Sequence, residues 1–156
     1  MESRCDNKSV GVILQNEAEE YLLINRARFP YGWAAVAGHI DEHGNLEQTA
    51  VNEVYEEVGI TLPVSSLRKV IENRRVENQC RRPGGDYHDW TVYTAQIVAT
   101  ELALSVDEVR GASWFTKPEI QQLARQSTAT PATQQNSLAL EGIWRRFFDE
   151  LRVTSK

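Results

Sequence analysis

Cysteine is scarce in this chain of 156 residues: Cys5 and Cys80 are the only two. They provide neither a disulfide framework nor a compact metal-ligand spacing, so both are expected as free thiols of a reducing compartment. Long apolar runs are missing too. None approaches the roughly 20 residues of a membrane-spanning helix, and the opening MESRCDNKSV has no apolar stretch of a secretion signal. Basic charge is in deficit, with 17 Lys and Arg against 22 Asp and Glu and a formal net charge of −5. That balance argues against a general binder of nucleic acid or anionic membranes. A glycine-rich dinucleotide fingerprint, a P-loop, a nucleophilic Ser or Cys motif and an internal repeat are all absent. What remains is ordinary for a globular protein, 41% hydrophobic and 25% charged. One soluble, cytoplasmic domain over residues 1–156 is expected, long enough to bury a sizeable core.

The basic deficit is sharpest in one place. No Lys or Arg occurs from position 29 to position 67, whereas Asp41, Glu42, Glu47, Glu53, Glu56 and Glu57 all do. Within that span the sequence predicts a helix. Asn45 can cap its start, Gln48 completes a capping-box pattern, and Gly59 stands where a left-handed stop belongs. Val51, Val54 and Val58 recur at helical spacing and should face a core. Glu53, Glu56 and Glu57 fall on another arc, where like charges repel by roughly 0.2–0.5 kcal/mol per pair. Three carboxylates on one ridge suit a hard divalent cation such as Mg²⁺. The plainer alternative is an acidic, solvated helix face.

Residues 38–60, GHIDEHGNLEQTAVNEVYEEVGI, resemble the Nudix box of the Nudix hydrolases, G-x5-E-x7-R-E-U-x-E-E-x-G-U with U aliphatic. Gly38 matches the opening glycine, and Glu53, Val54, Glu56, Glu57, Gly59 and Ile60 match the closing run. Two positions depart: the first Glu of the pattern falls on Gly44 and its Arg on Asn52. An acid and a base are missing together, so no orphaned charge is left behind. The resemblance implies an α/β fold, a Nudix-type α/β/α sandwich around a mixed sheet. It also implies Mg²⁺ or Mn²⁺ bound by Gly38, Glu53, Glu56 and Glu57. Catalysis would rest on Glu53 and Glu57 with one acid from outside the box, for which Glu108 is the first candidate, ahead of Asp107 and Glu101.

The rest of the chain fits around that stretch. Residues 1–8 are expected to fray. Residues 10–14 and 21–24 read as two strands of a hairpin, 33–37 (WAAVA) as a small-residue strand, 67–76 as a strand and 88–99 as the strongest strand, rich in Trp, Tyr, Val, Thr and Ile. A capping box, Thr116 to Glu119, opens a helix to about residue 125. Residues 127–135 read as a flexible linker, and 138–151 as an amphipathic closing helix. Arg26 and Arg28 could hold substrate phosphates or stand in solvent. The same choice applies to the basic stretch containing Arg68, Lys69, Arg74, Arg75, Arg81 and Arg82. Trp90 or Tyr93 could stack on a nucleobase, or be core.

The expected reaction is metal-assisted hydrolysis of a phosphoanhydride in a nucleoside diphosphate linked to another group. The expected partner is a small nucleotide substrate. A homodimer is admitted; a stable nucleic-acid complex and membrane attachment are not expected. The rival from another class is a Nudix-fold module that binds a nucleotide without cleaving it. More distant is a zinc site using Cys80, His88 and either His39 or His43, which lack compact ligand spacing.

Overall fold

In the computed structural model the described residues are 5–40, 45–78, 80, 82–98, 101–129 and 139–154. Their elements run β1 (Lys8–Gln15), β2 (Tyr21–Arg26), β3 (Gly32–Ala34), β4 (Val36–His39), α1 (Leu46–Val58), β5 (Arg68–Val76), β6 (His88–Gln96), β7 (Val109–Phe115), α2 (Lys117–Ala129) and α3 (Gly142–Glu150). The strands form one mixed sheet. Its main path is β3-β2-β1-β6-β5, with β4 added to β1 and β7 to β2.

Alternation along β1 sorts its side chains onto two cores. Val10, Val12 and Leu14 pack with Ala50, Val54 and Val58 of α1. Ile13 joins Trp144, Phe147 and Phe148 of α3 and Ile120 of α2 on the opposite face. The result is a sheet between α1 on one side and α2 and α3 on the other. Strand β6 does the same, with Trp90 and Val92 on the α3 side and Tyr93 and Ala95 on the α1 side. Burial on both faces explains the apolar and β-branched run from Trp90 to Ala95 in β6.

Several sequence expectations are corrected here. The first two strands are a hairpin only at its closed end, where Gln15 pairs with Tyr21. Beyond that point the segment carrying β3 and β4 wedges between them. Ala34 pairs with Ile24 on one side, and Val36 pairs with Val12 on the other. WAAVA is therefore two strands that change partner at Ala35. Residues 5–8 are anchored: Cys5 is buried, its N–H donates to Pro83 O at 2.8 Å, and Asn7 Nδ2 donates to Gly84 O and Tyr87 O, each at 2.8 Å. Helix α2 continues through Ala129, so residues 127–129 are helical, and the rest of the expected linker, 130–135, lies outside the described residues.

Helix α1 ends where the sequence says it should, but its caps differ in detail. Asn45 Oδ1 accepts from Gln48 N–H at 3.0 Å, and Gly59 adopts φ +76°, the left-handed stop that a Cβ would disfavour. Gln48 does not close the capping box, because its amide turns along the helix to Asn52 Oδ1 at 2.9 Å. At the other end, Val58 O and Glu57 O accept from Ala103 N–H at 2.9 Å and Ser105 N–H at 3.1 Å. The acidic connection before β7 thus docks on the C-terminus of α1. The Thr116–Glu119 box of α2 is complete in both directions.

Candidate functional site

An open cavity of about 160 Å³ lies at one end of the sheet. Strand ends and loops from both halves of the chain reach it: the exit of β2, the end of β4, the inner face of α1, the connection before β7, the β5–β6 loop and the start of α3. Four carboxylates line it, Glu53, Glu57, Glu108 and Glu141, together with Arg26, Arg28 and Arg82.

Two of the acids come from α1. Glu57 is 2% exposed, and its Oε1 accepts from Ala37 N–H at 3.3 Å. Burial pushes its carboxyl up to about 8; Arg26 opposes this, while Glu108 and Glu56 add to it. Glu53 lies against Gly38. A Cβ built on Gly38 would sit 2.6 Å from Glu53 Oε2 and nearer still to the rest of that carboxylate. Only a glycine leaves the space that Glu53 occupies beside the β4 backbone.

The connection docked on α1 delivers Glu108, whose carbonyl accepts from Ala27 N–H at 3.0 Å and whose carboxylate faces Arg28 Nη1 at 3.9 Å. Arg26 Nε donates to Pro30 O at 2.7 Å, which fixes its stem while its charge acts on both Glu57 and Glu141. Phe29 stands beside these arginines with 44% of its surface exposed, edge-on to Tyr31 at 6.2 Å.

Thus the sequence-predicted residues Arg26, Arg28, Gly38, Glu53, Glu57 and Glu108 converge on one cavity. Others do not. Glu56 is exposed and does not line the cavity, although it is near enough to act on the Glu57 carboxyl. Arg74 and Arg75 lie on β5, at the end of the sheet path, and neither lines the cavity. Arg74 is paired with Glu150 of α3. Arg75 Nε donates to Glu77 Oε1 at 3.1 Å, and its guanidinium lies 3.8 Å from the Tyr87 ring centre. Trp90 lines the cavity, but its ring is buried among Trp144 and Phe147 at 5.8 and 5.4 Å, and its Nε1 donates to Asn78 Oδ1 at 3.3 Å. Its packing is that of a core residue. Gly44, the first departure from the box, and His43 lie outside the described residues.

Glu141 was missed by the sequence reading, which took residues 138–151 as helix. It is the residue that caps α3, with Oε1 accepting from Ile143 N–H at 3.2 Å, and an acid just before Gly142 was the available signal. Burial drives its carboxyl up to about 7, against the pull of Ile143 N–H and Arg26. Because the folded state holds this proton more tightly than an ordinary carboxyl of 4.5, its contribution to stability is whole below about 4.5. It is lost as pH rises to about 7. At about 1.4 kcal/mol per unit, the loss is of the order of 3 kcal/mol. Glu141→Gln keeps an acceptor for Ile143 and removes the ionisation. Urea midpoints measured across this range should fall with pH in the wild type and less steeply in the variant; equal slopes would refute this role.

The NUDIX domain family model matches residues 6–135, and the chain belongs to that family. The human mitochondrial NAD(P)H pyrophosphatase NUDT13 is 29% identical over 129 residues, 82% of this chain but 34% of its own length, so the chain spans about a third of that relative. Among solved structures, the MutT protein of Methanosarcina mazei Go1 superposes with a TM-score of 0.66 at 21% identity over the whole of both chains. The NUDIX domain of Shewanella oneidensis NrtR, solved with ADP ribose, gives 0.63 at 18% identity over 97% of this chain and 88% of its own. These structures share the fold: a mixed sheet between helices, the α/β/α sandwich expected from the box. No helix among the described residues is long and apolar enough to cross a membrane.

Proposed function

We propose that the chain hydrolyses a phosphoanhydride bond in a nucleoside diphosphate linked to a second group, with Mg²⁺ or Mn²⁺ as cofactor. The observation that carries this reading is the cavity that sets Glu53, Glu57 and Glu108 against Arg26, Arg28 and Arg82. The donor set fits a hard cation. It offers carboxylate oxygens beside Gly38, and it includes a buried acid that rises to about 8 without a cation to hold it ionised. Glu53, Glu57 and the Gly38 carbonyl would hold the ion. Glu56, exposed, contributes charge nearby rather than a lining ligand. Bound there, the cation supplies charge neutralisation at the scissile phosphates.

The chain's own groups do the rest. Arg26, Arg28 and Arg82 bind the non-reacting phosphate oxygens by charge-assisted hydrogen bonds. Glu53 or Glu108 accepts the proton of the attacking water. Phe29, the exposed aromatic of the cavity, offers a platform for the base, a role for which the sequence pointed to Trp90 or Tyr93. The named relatives support adenine-containing diphosphates as the substrate class, NAD(P)H in one case and ADP ribose in the other. A reducing compartment suits Cys5 and Cys80, which form no disulfide.

The test is a panel of nucleoside triphosphates, dinucleoside polyphosphates, ADP-ribose, nucleotide sugars and reduced and oxidised dinucleotides, each with Mg²⁺, with Mn²⁺ and with chelator. Metal-dependent release of a nucleoside monophosphate from a diphosphate-linked member is the expected result. A second reading, a module that binds a nucleotide without cleaving it, draws on the box departures at Gly44 and Asn52. Silence across the panel together with a ligand-induced rise in melting temperature would select it.

A further inference from the structure

Cys5, His39, Cys80 and His88 come from four separate parts of the chain, yet one ligand atom from each lies within 4.8 Å of all the others. Cys5 Sγ is 3.2 Å from His88 Nε2 and 3.4 Å from His39 Nε2. A tetrahedron with Zn–S of about 2.3 Å and Zn–N of about 2.0–2.1 Å has edges of roughly 3.3–3.8 Å, close to these separations. We infer that these four side chains form a closed structural zinc site; His39, Cys80 and His88 line the same cavity as the carboxylates that would hold Mg²⁺, and the two donor sets share no residue.

The sheet register builds the cluster. Strands β4, β1 and β6 are neighbours, and at one end Ser9 pairs with both His39 and Trp90. His39 and His88 therefore flank the start of β1, with ring centres 5.4 Å apart, and Cys5 precedes that start by a few residues. The β5–β6 loop brings Cys80 over the same point, its N–H donating to Gly85 O at 2.9 Å. A side chain at Gly85 would run into Cys80 Sγ.

The surroundings are those of a ligand set. His88 is 1% exposed, and its Nδ1 lies 3.0 Å from Asn78 O, so that nitrogen carries the proton and Nε2 presents its lone pair to the cluster. Asn7 N–H donates to Cys5 Sγ at 3.3 Å, the polarising contact that a thiolate ligand receives. Binding Zn²⁺ releases the two thiol protons to solvent, and two thiolates with two neutral imidazoles then balance the charge of the ion. Thiolate and imidazole donors select zinc over the hard cations, and four protein ligands leave no open position. The site clamps the segment before β1 to the β5–β6 loop and to His39, next to Gly38.

Reduced full-length protein, isolated without chelator or histidine tag, is expected to carry about one zinc per chain by plasma mass spectrometry. Cys80→Ser and His88→Asn should each lower that content by roughly tenfold or more. If these variants fail to fold, Co²⁺ added to zinc-free wild-type protein decides. A thiolate-to-cobalt charge-transfer band with tetrahedral d–d absorption, displaced by about one equivalent of Zn²⁺, supports the site. Folded, reduced protein with under about a tenth of an equivalent of zinc and no such band overturns it. A Cys5–Cys80 disulfide in freshly isolated, zinc-free protein does so equally. The hydrolase reading stands or falls separately, on the nucleotide panel.

Discussion

Glu57→Gln should lower turnover of the cleaved nucleotide by about 10²–10³-fold or more, with the fold intact. The substitution is nearly isosteric, and the amide oxygen of Gln can still accept the Ala37 N–H that Glu57 Oε1 meets at 3.3 Å. What is lost is the charge of a carboxylate that is 2% exposed and lies in the same cavity as Glu53 and Glu108. A neutral amide needs no cation to be buried there, so the melting temperature of metal-free protein should not fall. Steady-state rates over a Mg²⁺ series, paired with thermal melts, separate the two effects. Rates within about tenfold of wild type would remove Glu57 from the machinery. Inactivity accompanied by a large drop in melting temperature would reduce it to a structural acid.

Gly38→Ala should be nearly as damaging to activity, for a steric reason. The new Cβ would overlap the Glu53 carboxylate, lying 2.6 Å from Oε2. Gly38 is not among the positive-φ glycines, so alanine can adopt its backbone conformation without strain. The obstacle is the end of a flexible side chain, and Glu53 can swing away. Stability should therefore change by less than about 1.5 kcal/mol, while kcat falls by roughly 10²-fold because a misplaced carboxylate neither holds the cation nor takes a proton. Urea unfolding and single-turnover rates on the same preparation check both halves. An active Gly38→Ala protein would show that Glu53 acts from another position.

What the sequence disclosed was what short-range chemistry encodes. The caps at Asn45 and Gly59, the apolar spacing of Val54 and Val58, and the alternation of β6 each depend on residues a few positions apart, and the structure places them as read. Position along the chain was a poorer guide to direction in space. Arg74 and Arg82 belong to one basic stretch, yet one is paired with Glu150 while the other lines the cavity. Charge composition carries no information about which face of a strand or loop meets the site. The sequence names Cys80 and His88 with His39 or His43 only as a remote zinc reading and leaves Cys5 out, because the proximity of Cys5, His39, Cys80 and His88 comes from the register of three strands, not from spacing. Glu141 was hidden inside a segment read as uniformly helical, although it stands before the first turn.

The parallel pairing of β1 with β6 also governs the order in which the molecule can assemble. Lys8 lies opposite Asp89 and Gln15 opposite Gln96, so the ladder joins residues about eighty positions apart. Emerging from a ribosome, β1 can meet β4 early but must wait for more than half of the chain before its other edge is covered. Until then an apolar strand presents unpaired N–H and C=O groups, a hazard for misassociation. Closing so long a loop is also slow, and this places the Nudix box helix among the early-formed parts and the β1–β6 seam among the late ones.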